Sequence, residues 1–443
     1  MRVVHVTAGA GGRLCGTCLH DNALVRALRA RGGDAILLPA YVPTTTDEED
    51  VAERRVVMGG VNVWLQEHVS FFRHTPAFLD GVLDRVLGGR RLLGWLASRT
   101  GDTRAEDLGP FTVSALEGES GRQRKEVEKL AGLLRDEFRP DVVHLSNVLL
   151  LGLARRAREA SGCRVVCTLS GEDIFTSRLP SPHRERVGDL LRERAADVDR
   201  FVALNRAFAE QMAPVLGVDP RSIAVVPHGV DPKGFADEAP DLDARRRTRN
   251  GAIHVGYLAR ACPEKGLDVL LRAIALLAAT HDVRLVAAGA EIAAERPYLD
   301  RCRRLAADLG LADRFEWRGQ VDHAGKIALL ESIDLFAMPT TFPEAKGIPV
   351  LEAFTAGVPA VASDHGCFPE YLGRGPENRR GLLCTPGDSA ALHAALLVLA
   401  DDPALAARMG REARAFARER HTPDAMAAGH EAVYAESLAG RRG

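Results

Sequence analysis

The chain has 443 residues, of which 46% are hydrophobic, and its formal net charge is −2. That length fits two or three domains with packed cores, and the near-neutral balance excludes a protein that works by neutralising a nucleic-acid backbone. No run of about 18 or more apolar residues occurs, so no transmembrane helix is expected.

Met1-Arg2-Val3-Val4-His5-Val6 enters a strand at once with no signal-peptide pattern, and a cytoplasmic protein is expected. Residues 2–8 read as that strand, Gly9, Gly11 and Gly12 as a loop, and Leu19 to Arg31 as a helix. Cys15-Gly16-Thr17-Cys18 has the C-x-x-C spacing of redox and metal sites, with His20 close behind. No second ligand pair stands at zinc-ribbon spacing, so a glycine-rich turn packed under a helix start is the simpler reading. The other cysteines, Cys163, Cys167, Cys262, Cys302, Cys367 and Cys384, are scattered. Several lie in strand-like runs, as small buried hydrophobes do in a reducing compartment.

Asp34 to Tyr41 reads as a second strand. Residues 44–125 are less regular and hold Trp64, Phe71, Phe72, Phe78 and Trp95. Leu79, Val82, Leu83, Val86 and Leu87 fall at helical spacing with arginines nearby, which suits either a helix packed on its own domain or one that touches an acceptor or membrane. Val127 to Glu137 reads as an amphipathic helix. Strands follow at Arg139 to Leu145, Cys163 to Leu169, Arg200 to Leu204 and Ile223 to Val226. The second of these runs into Ser170-Gly171-Glu172-Asp173, which on residue types alone is a strand-end turn and a helix N-cap.

Residues 232–250 are rich in Pro, Asp and Arg and read as a linker, with Arg245-Arg246-Arg247 a solvated charge cluster. Strands and helices then alternate again. Ile253 to Arg260 opens the second domain as a strand, Leu267 to Ala278 is a helix, and Arg260 and Lys265 bracket the turn between them. Two cations there can hold a diphosphate, the guanidinium binding two oxygens at once; a plain basic surface turn is the alternative. Val283 to Gly289 is the next strand. Leu335 to Met338 is a buried strand, and Gly347 and Pro349 sit where a helix begins. That helix runs to about Ala356, Gly357 caps it, and Val358 to Ser363 returns as a strand. Glu344 lies in the loop and Glu352 on the helix. Carboxylates there can accept hydrogen bonds from sugar hydroxyls, and the amides of Gly347 and Ile348 suit an anion. Gly381 to Thr385 is the last strand, and helices fill the rest.

Glu344, Gly347, Glu352, Ala353, Gly357, Pro359, Val361, Ser363, Gly366 and Glu370 follow an E-x7-E pattern, and Arg260, Lys265 and Gly266 an R-x4-K-G pattern. On these residues the chain resembles the retaining family 4 glycosyltransferases, continuously over 223–400 and more faintly over 1–222. The resemblance implies an α/β fold of the GT-B kind, two doubly wound Rossmann-like domains facing across a cleft. It divides the chain into an acceptor-side domain at 1–231, a linker at 232–250, a nucleotide-sugar domain at 251–420, and a terminal helix at 421–443 that packs back on the first domain. It assigns Arg260, Lys265 and the helix N-terminus at Gly347 to the leaving diphosphate, Glu344 to the donor sugar and Glu352 to the ribose. Backbone at Gly319 and Val321 would hold the base, and the loop at Gly11 and Gly12 would approach the donor diphosphate or acceptor.

Several positions depart from the family's pattern. Ala345 and Lys346 replace a glycine and an aromatic or apolar residue, and His228 stands where asparagine is commoner. Ser170 stands where the family has a histidine near the sugar; it can hydrogen-bond a hydroxyl but cannot carry a proton near neutral pH, so Asp173 is considered for part of that role. A hexose from a UDP-sugar is the expected donor by family frequency. The acceptor is open among small molecules, glycans and lipid-linked hydroxyls, with peripheral membrane contact allowed for. No cofactor and no metal are expected, because Asp197-Val198-Asp199 and Asp241-Leu242-Asp243 fall at a helix end and in the linker. An epimerase or phosphorylase on the same fold and a non-catalytic sugar-nucleotide binder are the alternatives.

Overall fold

The computed structural model describes residues 1–9, 16–46, 48–58, 108–375 and 379–440. Gly11, Gly12 and Cys15 lie outside the described residues, as do the 79–87 helix and Trp64, Phe71, Phe72, Phe78 and Trp95. Two compact units result, Met1–Gly229 together with Pro423–Gly443, and Val230–Thr422.

The first unit is built on six parallel strands: β1 Arg2–Thr7, β2 Asp34–Pro39, β3 Val142–Leu145, β4 Arg164–Leu169, β5 Arg200–Ala203 and β6 Ala224–Val225. Their order is β2-β1-β3-β4-β5-β6. The strands read as nearly continuous apolar runs because helices cover both faces of a parallel sheet. Register is pinned at the start of β1, where Arg2 pairs with Asp34 at 2.6 Å and its amide donates to Asp141 at 2.7 Å. Helix Gly16–Ala30 buries Leu24, Val25 and Leu28 on this sheet. Helix Pro423–Ala439 adds Met426, Ala427, Val433 and Tyr434 to the same core. Five histidines, His5, His20, His144, His228 and His430, are buried in this unit.

The second unit has the parallel strands β7 Ile253–Leu258, β8 Val283–Ala288, β9 Phe315–Trp317, β10 Leu335–Met338, β11 Ala360–Ser363 and β12 Gly381–Cys384. Their order is β12-β11-β10-β7-β8-β9. The chain therefore lays β8 and β9 to one side of β7 and β10 to β12 to the other. The reversal creates a switch point between β7 and β10, where loops leave in opposite directions and open a crevice at the carboxyl ends of the strands.

The arginine run at 245–247 differs from expectation. Leu242–Thr248 is a helix, and Leu242 enters the core of the second unit. Arg246 is buried and donates to the carbonyls of Leu399 and Ala400, while Arg245 donates to that of Ile333. Only Arg247 of the three is exposed. Arginines that satisfy helix-end carbonyls carry the same sequence pattern as solvated ones, and only the neighbouring elements tell them apart.

Candidate functional site

The loops that follow β7 and β10 are docked on each other. Gly266 has φ +68°, and a Cβ there would lie 1.9 Å from the Pro339 carbonyl oxygen. Thr341 completes the contact: its amide donates to the Glu264 carbonyl at 2.9 Å and its hydroxyl to that of Pro263 at 3.1 Å. This docking places Lys265 against Glu344, and the ammonium and carboxylate are hydrogen-bonded. Burial would raise the Glu344 pKa, but the Lys265 charge and the amides of Lys346 and Gly347 outweigh it and hold the carboxyl below its ordinary value.

Gly366 fixes the other side of the loop. Its φ is +58°, and a Cβ there would lie 2.4 Å from both the nitrogen and the oxygen of Glu344. The adjacent Cys367 amide donates to the Glu344 carbonyl at 2.9 Å. Gly366→Ala is therefore expected to destabilise the second unit by about 1–3 kcal/mol and to displace Glu344. Thermal melts and donor titration check this, and an unchanged melt with unchanged donor affinity would contradict it.

Arg260 lies on the same loop, 42% exposed, with its Nε 3.3 Å from Glu295. Helix Ile348–Thr355 starts from Gly347 at φ +61° with no side-chain cap and Pro349 in its first turn. Backbone donors at its start therefore face the switch-point crevice without a capping side chain. Glu352 is buried on this helix among Val350, Leu351, Ala353 and Phe354. A buried carboxylate requires a partner, and Lys326 supplies it at 2.7 Å.

Lys326 comes from helix His323–Ser332 and was not singled out from the sequence, where a lysine on a partly apolar helix reads as solvated. Gly319 and Val321 precede that helix. Gly319 has φ +69° and its carbonyl accepts from Gly289 at 2.9 Å, joining the ends of β8 and β9.

Ser170 and Asp173 belong to the first unit, at the carboxyl end of β4. Ser170 donates its hydroxyl to Glu172 at 3.3 Å and its amide at 2.9 Å. The Val148 amide donates to the same carboxylate at 3.1 Å. Glu172 thus organises this edge, though its place inside Ser170-Gly171-Glu172-Asp173 reads only as a turn. Asp173 is the first residue of the short helix Asp173–Ser177 rather than its cap, and it accepts from Gln211 at 2.8 Å.

Asp197 and Asp199, of the first D-x-D triplet, are tied to Arg155, Arg158 and Arg164. Among the described residues no group of three or more His, Cys, Asp or Glu is arranged to hold a metal ion.

Two parallel Rossmann-like units of six strands, one with an ion-paired lysine and glutamate at its switch point, define a GT-B glycosyltransferase. The chain belongs to the family 4 glycosyltransferases: the model for Glycosyltransferase Family 4 matches residues 22–233, and that for Glycosyl transferases group 1 matches 240–416. The Mycobacterium tuberculosis GDP-mannose-dependent alpha-(1-6)-phosphatidylinositol monomannoside mannosyltransferase is 32% identical over 288 residues, 62% of this chain and 70% of that protein. The D-inositol 3-phosphate glycosyltransferase of Acidothermus cellulolyticus is 29% identical over 317 residues, 68% of each chain. Among solved structures, Anabaena HepE in complex with UDP superposes with a TM-score of 0.67 at 18% identity, covering 98% of this chain and 100% of that one.

Proposed function

We propose that the chain transfers a hexosyl group from a nucleoside-diphosphate sugar to an acceptor hydroxyl, with retention of anomeric configuration and without a metal ion. The observation that carries this reading is the Lys265–Glu344 pair held at the switch point by two docked loops. An incoming diphosphate competes for the Lys265 ammonium, and Arg260 and the start of helix Ile348–Thr355 add to the positive field. These groups stabilise charge that grows on the leaving phosphate oxygen as its bond to the anomeric carbon breaks. Glu344, released from Lys265, accepts hydrogen bonds from the donor sugar, and Glu352 accepts them from the ribose. The acceptor oxygen bonds to the anomeric carbon on the face the diphosphate leaves, and its proton passes to the departing phosphate oxygen.

The donor proposed for the first trial is GDP-mannose, on the strength of the mycobacterial relative's name, with UDP-hexoses, the commoner donors of the family, in direct competition. The same names motivate an inositol-type acceptor, free or lipid-linked. Thermal-shift titration with GDP, UDP, ADP and dTDP and their sugar conjugates tests the donor site, since a ligand of the native state raises the melting temperature by mass action. One nucleotide is expected to stabilise the protein, less so in Glu352→Ala, and turnover is expected to persist in chelator and to give a product of unchanged anomeric configuration. A protein that no nucleotide stabilises, or that inverts the anomeric centre, overturns the reading.

A further inference from the structure

The carboxyl ends of β7 to β10 carry charged groups in a connected series. Lys265 meets Glu344 at the switch point, and Glu352 on the adjacent helix meets Lys326. Lys326 lies in the first turn of helix His323–Ser332, which Gly319 and Val321 precede, and the Gly319 carbonyl accepts from the Gly289 amide at 2.9 Å. A nucleoside diphosphate with its phosphates on Lys265 and its ribose on Glu352 therefore brings its base toward the ends of β8 and β9.

One side chain stands over that backbone. Glu291, two residues after Gly289, has its Oε1 3.7 Å from where a Cβ of Gly319 would lie. The same oxygen accepts the indole N–H of Trp317 at 2.8 Å, and Arg303 approaches it at 3.9 Å. The carboxylate is about one-third exposed, with a side-chain exposure of 32%, so a ligand can reach it. Its anchoring by Trp317 fixes the direction in which it presents its acceptor oxygens.

We infer that Glu291 reads the nucleobase and selects guanine. The inference rests on the donor reading above. An ionised carboxylate offers acceptors only. Guanine presents two donors side by side, N1–H and the exocyclic amino group, and a carboxylate takes both in a bidentate, charge-assisted contact. Uracil presents a single N–H flanked by two carbonyl oxygens, which a carboxylate repels. The same group thus favours one base and penalises the other, and discrimination needs both effects.

The test is the ratio of GDP to UDP dissociation constants, measured by calorimetry on the full chain, the Glu291→Gln and Glu291→Ala variants, and Trp317→Phe. The wild type is expected to prefer GDP by at least about tenfold. Glu291→Gln is expected to remove most of that preference through weaker GDP binding together with tighter UDP binding, because the charge that repels the uracil oxygens is gone. Trp317→Phe, which frees the carboxylate from its anchor, is expected to reduce the preference partly. A wild type that prefers UDP, a ratio unchanged in Glu291→Gln, or equal losses for both nucleotides would overturn the inference while leaving the donor site standing. Binding of neither nucleotide by the wild type would remove both the donor reading and this one.

Discussion

Lys265→Ala is expected to slow glycosyl transfer by about a hundred- to thousandfold, the usual cost of removing one preorganised group that stabilises developing negative charge. The loss has a second source in the geometry. Glu344 is held below its ordinary pKa only because Lys265 and the loop amides outweigh the effect of burial. Without Lys265 the carboxyl is buried with less compensation, its pKa rises, and its hold on the sugar weakens. The two residues act as one device, so Glu344→Ala and the double variant are expected to cost little more than Lys265→Ala alone. A lysine-to-arginine change does not restore the geometry, because the planar guanidinium cannot occupy the place of a compact ammonium against the docked loop.

The same pair sets a pH dependence. The folded-state pKa of Glu344 is depressed, so its contribution to stability is present above the ordinary carboxylate range and is lost as pH falls through the folded-state value. Lys265→Ala is expected to flatten that acid limb. Initial rates of nucleotide release, together with denaturant midpoints between neutral pH and the acid range, measure both effects. A Lys265→Ala enzyme that keeps its rate within about threefold would contradict the role given to the ammonium.

What the sequence made legible follows from how each feature is encoded. β1, β4, β7 and β10 could be read because strands buried on both faces need unbroken apolar runs, and the turns between them carry glycine and proline. Lys265 and Glu344 could be read because the resemblance covers both loops, although they are 79 residues apart and no local rule joins them. Lys326, Glu172 and Arg246 escaped because each is a charged residue in a segment that looks solvated. Their roles arise from an element far away in sequence: the helix bearing Glu352, the Val148 amide, and the carbonyls of Leu399 and Ala400. A signal for Lys326 did exist in Glu352, the charged residue of a mostly apolar helix. Such a group implies a buried cation somewhere, but the sequence does not say which.

The buried histidines lead to the second large effect, an acid sensitivity of the first unit. His5, His20, His144 and His430 are fully buried and His228 is 4% exposed. They come from β1, helix Gly16–Ala30, β3, the segment after β6 and helix Pro423–Ala439. Ring centroids lie 4.4 Å apart for His5 and His144, 5.4 Å for His144 and His430, and 5.1 Å for His20 and His228. Asp21 is the carboxylate against this group, 3.0 Å from His5 Nε2. Tyr434 and Thr168 face His144, both at 2.7 Å. The Nδ1 atoms of His20 and His228 are 2.9 Å apart, a contact that requires one nitrogen to be unprotonated. Burial, reinforced by the neighbouring imidazoles, pushes His144 well below its ordinary value. Burial also pushes His430 down to about 4.

A histidine with a depressed folded-state pKa takes up its proton first in the unfolded chain. Its contribution to stability is therefore whole above the unfolded value of about 6.5 and is lost as pH falls toward the folded-state value. Urea midpoints are expected to be level from pH 8 to 7 and to fall steadily from about pH 6.5 to 4, by up to about 1.4 kcal/mol per pH unit for each histidine that titrates. Helix Pro423–Ala439 should loosen first, because His144 ties it to the sheet through Tyr434 and His430 is buried on the helix itself. Arg31 holds its outer face through Asp424 at 2.6 Å and Glu431 at 3.0 Å. Amide exchange at pH 5.5 is therefore expected to rise across 423–439 before it rises in β1 or β3. His430→Leu, which removes one titrating group whose Nε2 has no hydrogen-bond partner among the described residues, should reduce the acid slope. A midpoint that stays constant between pH 7 and 5 would mean that the folded and unfolded chains take up protons alike, and a slope unchanged in His430→Leu would mean that His430 does not contribute to it. Either result would contradict the depression that burial imposes on His144 and His430.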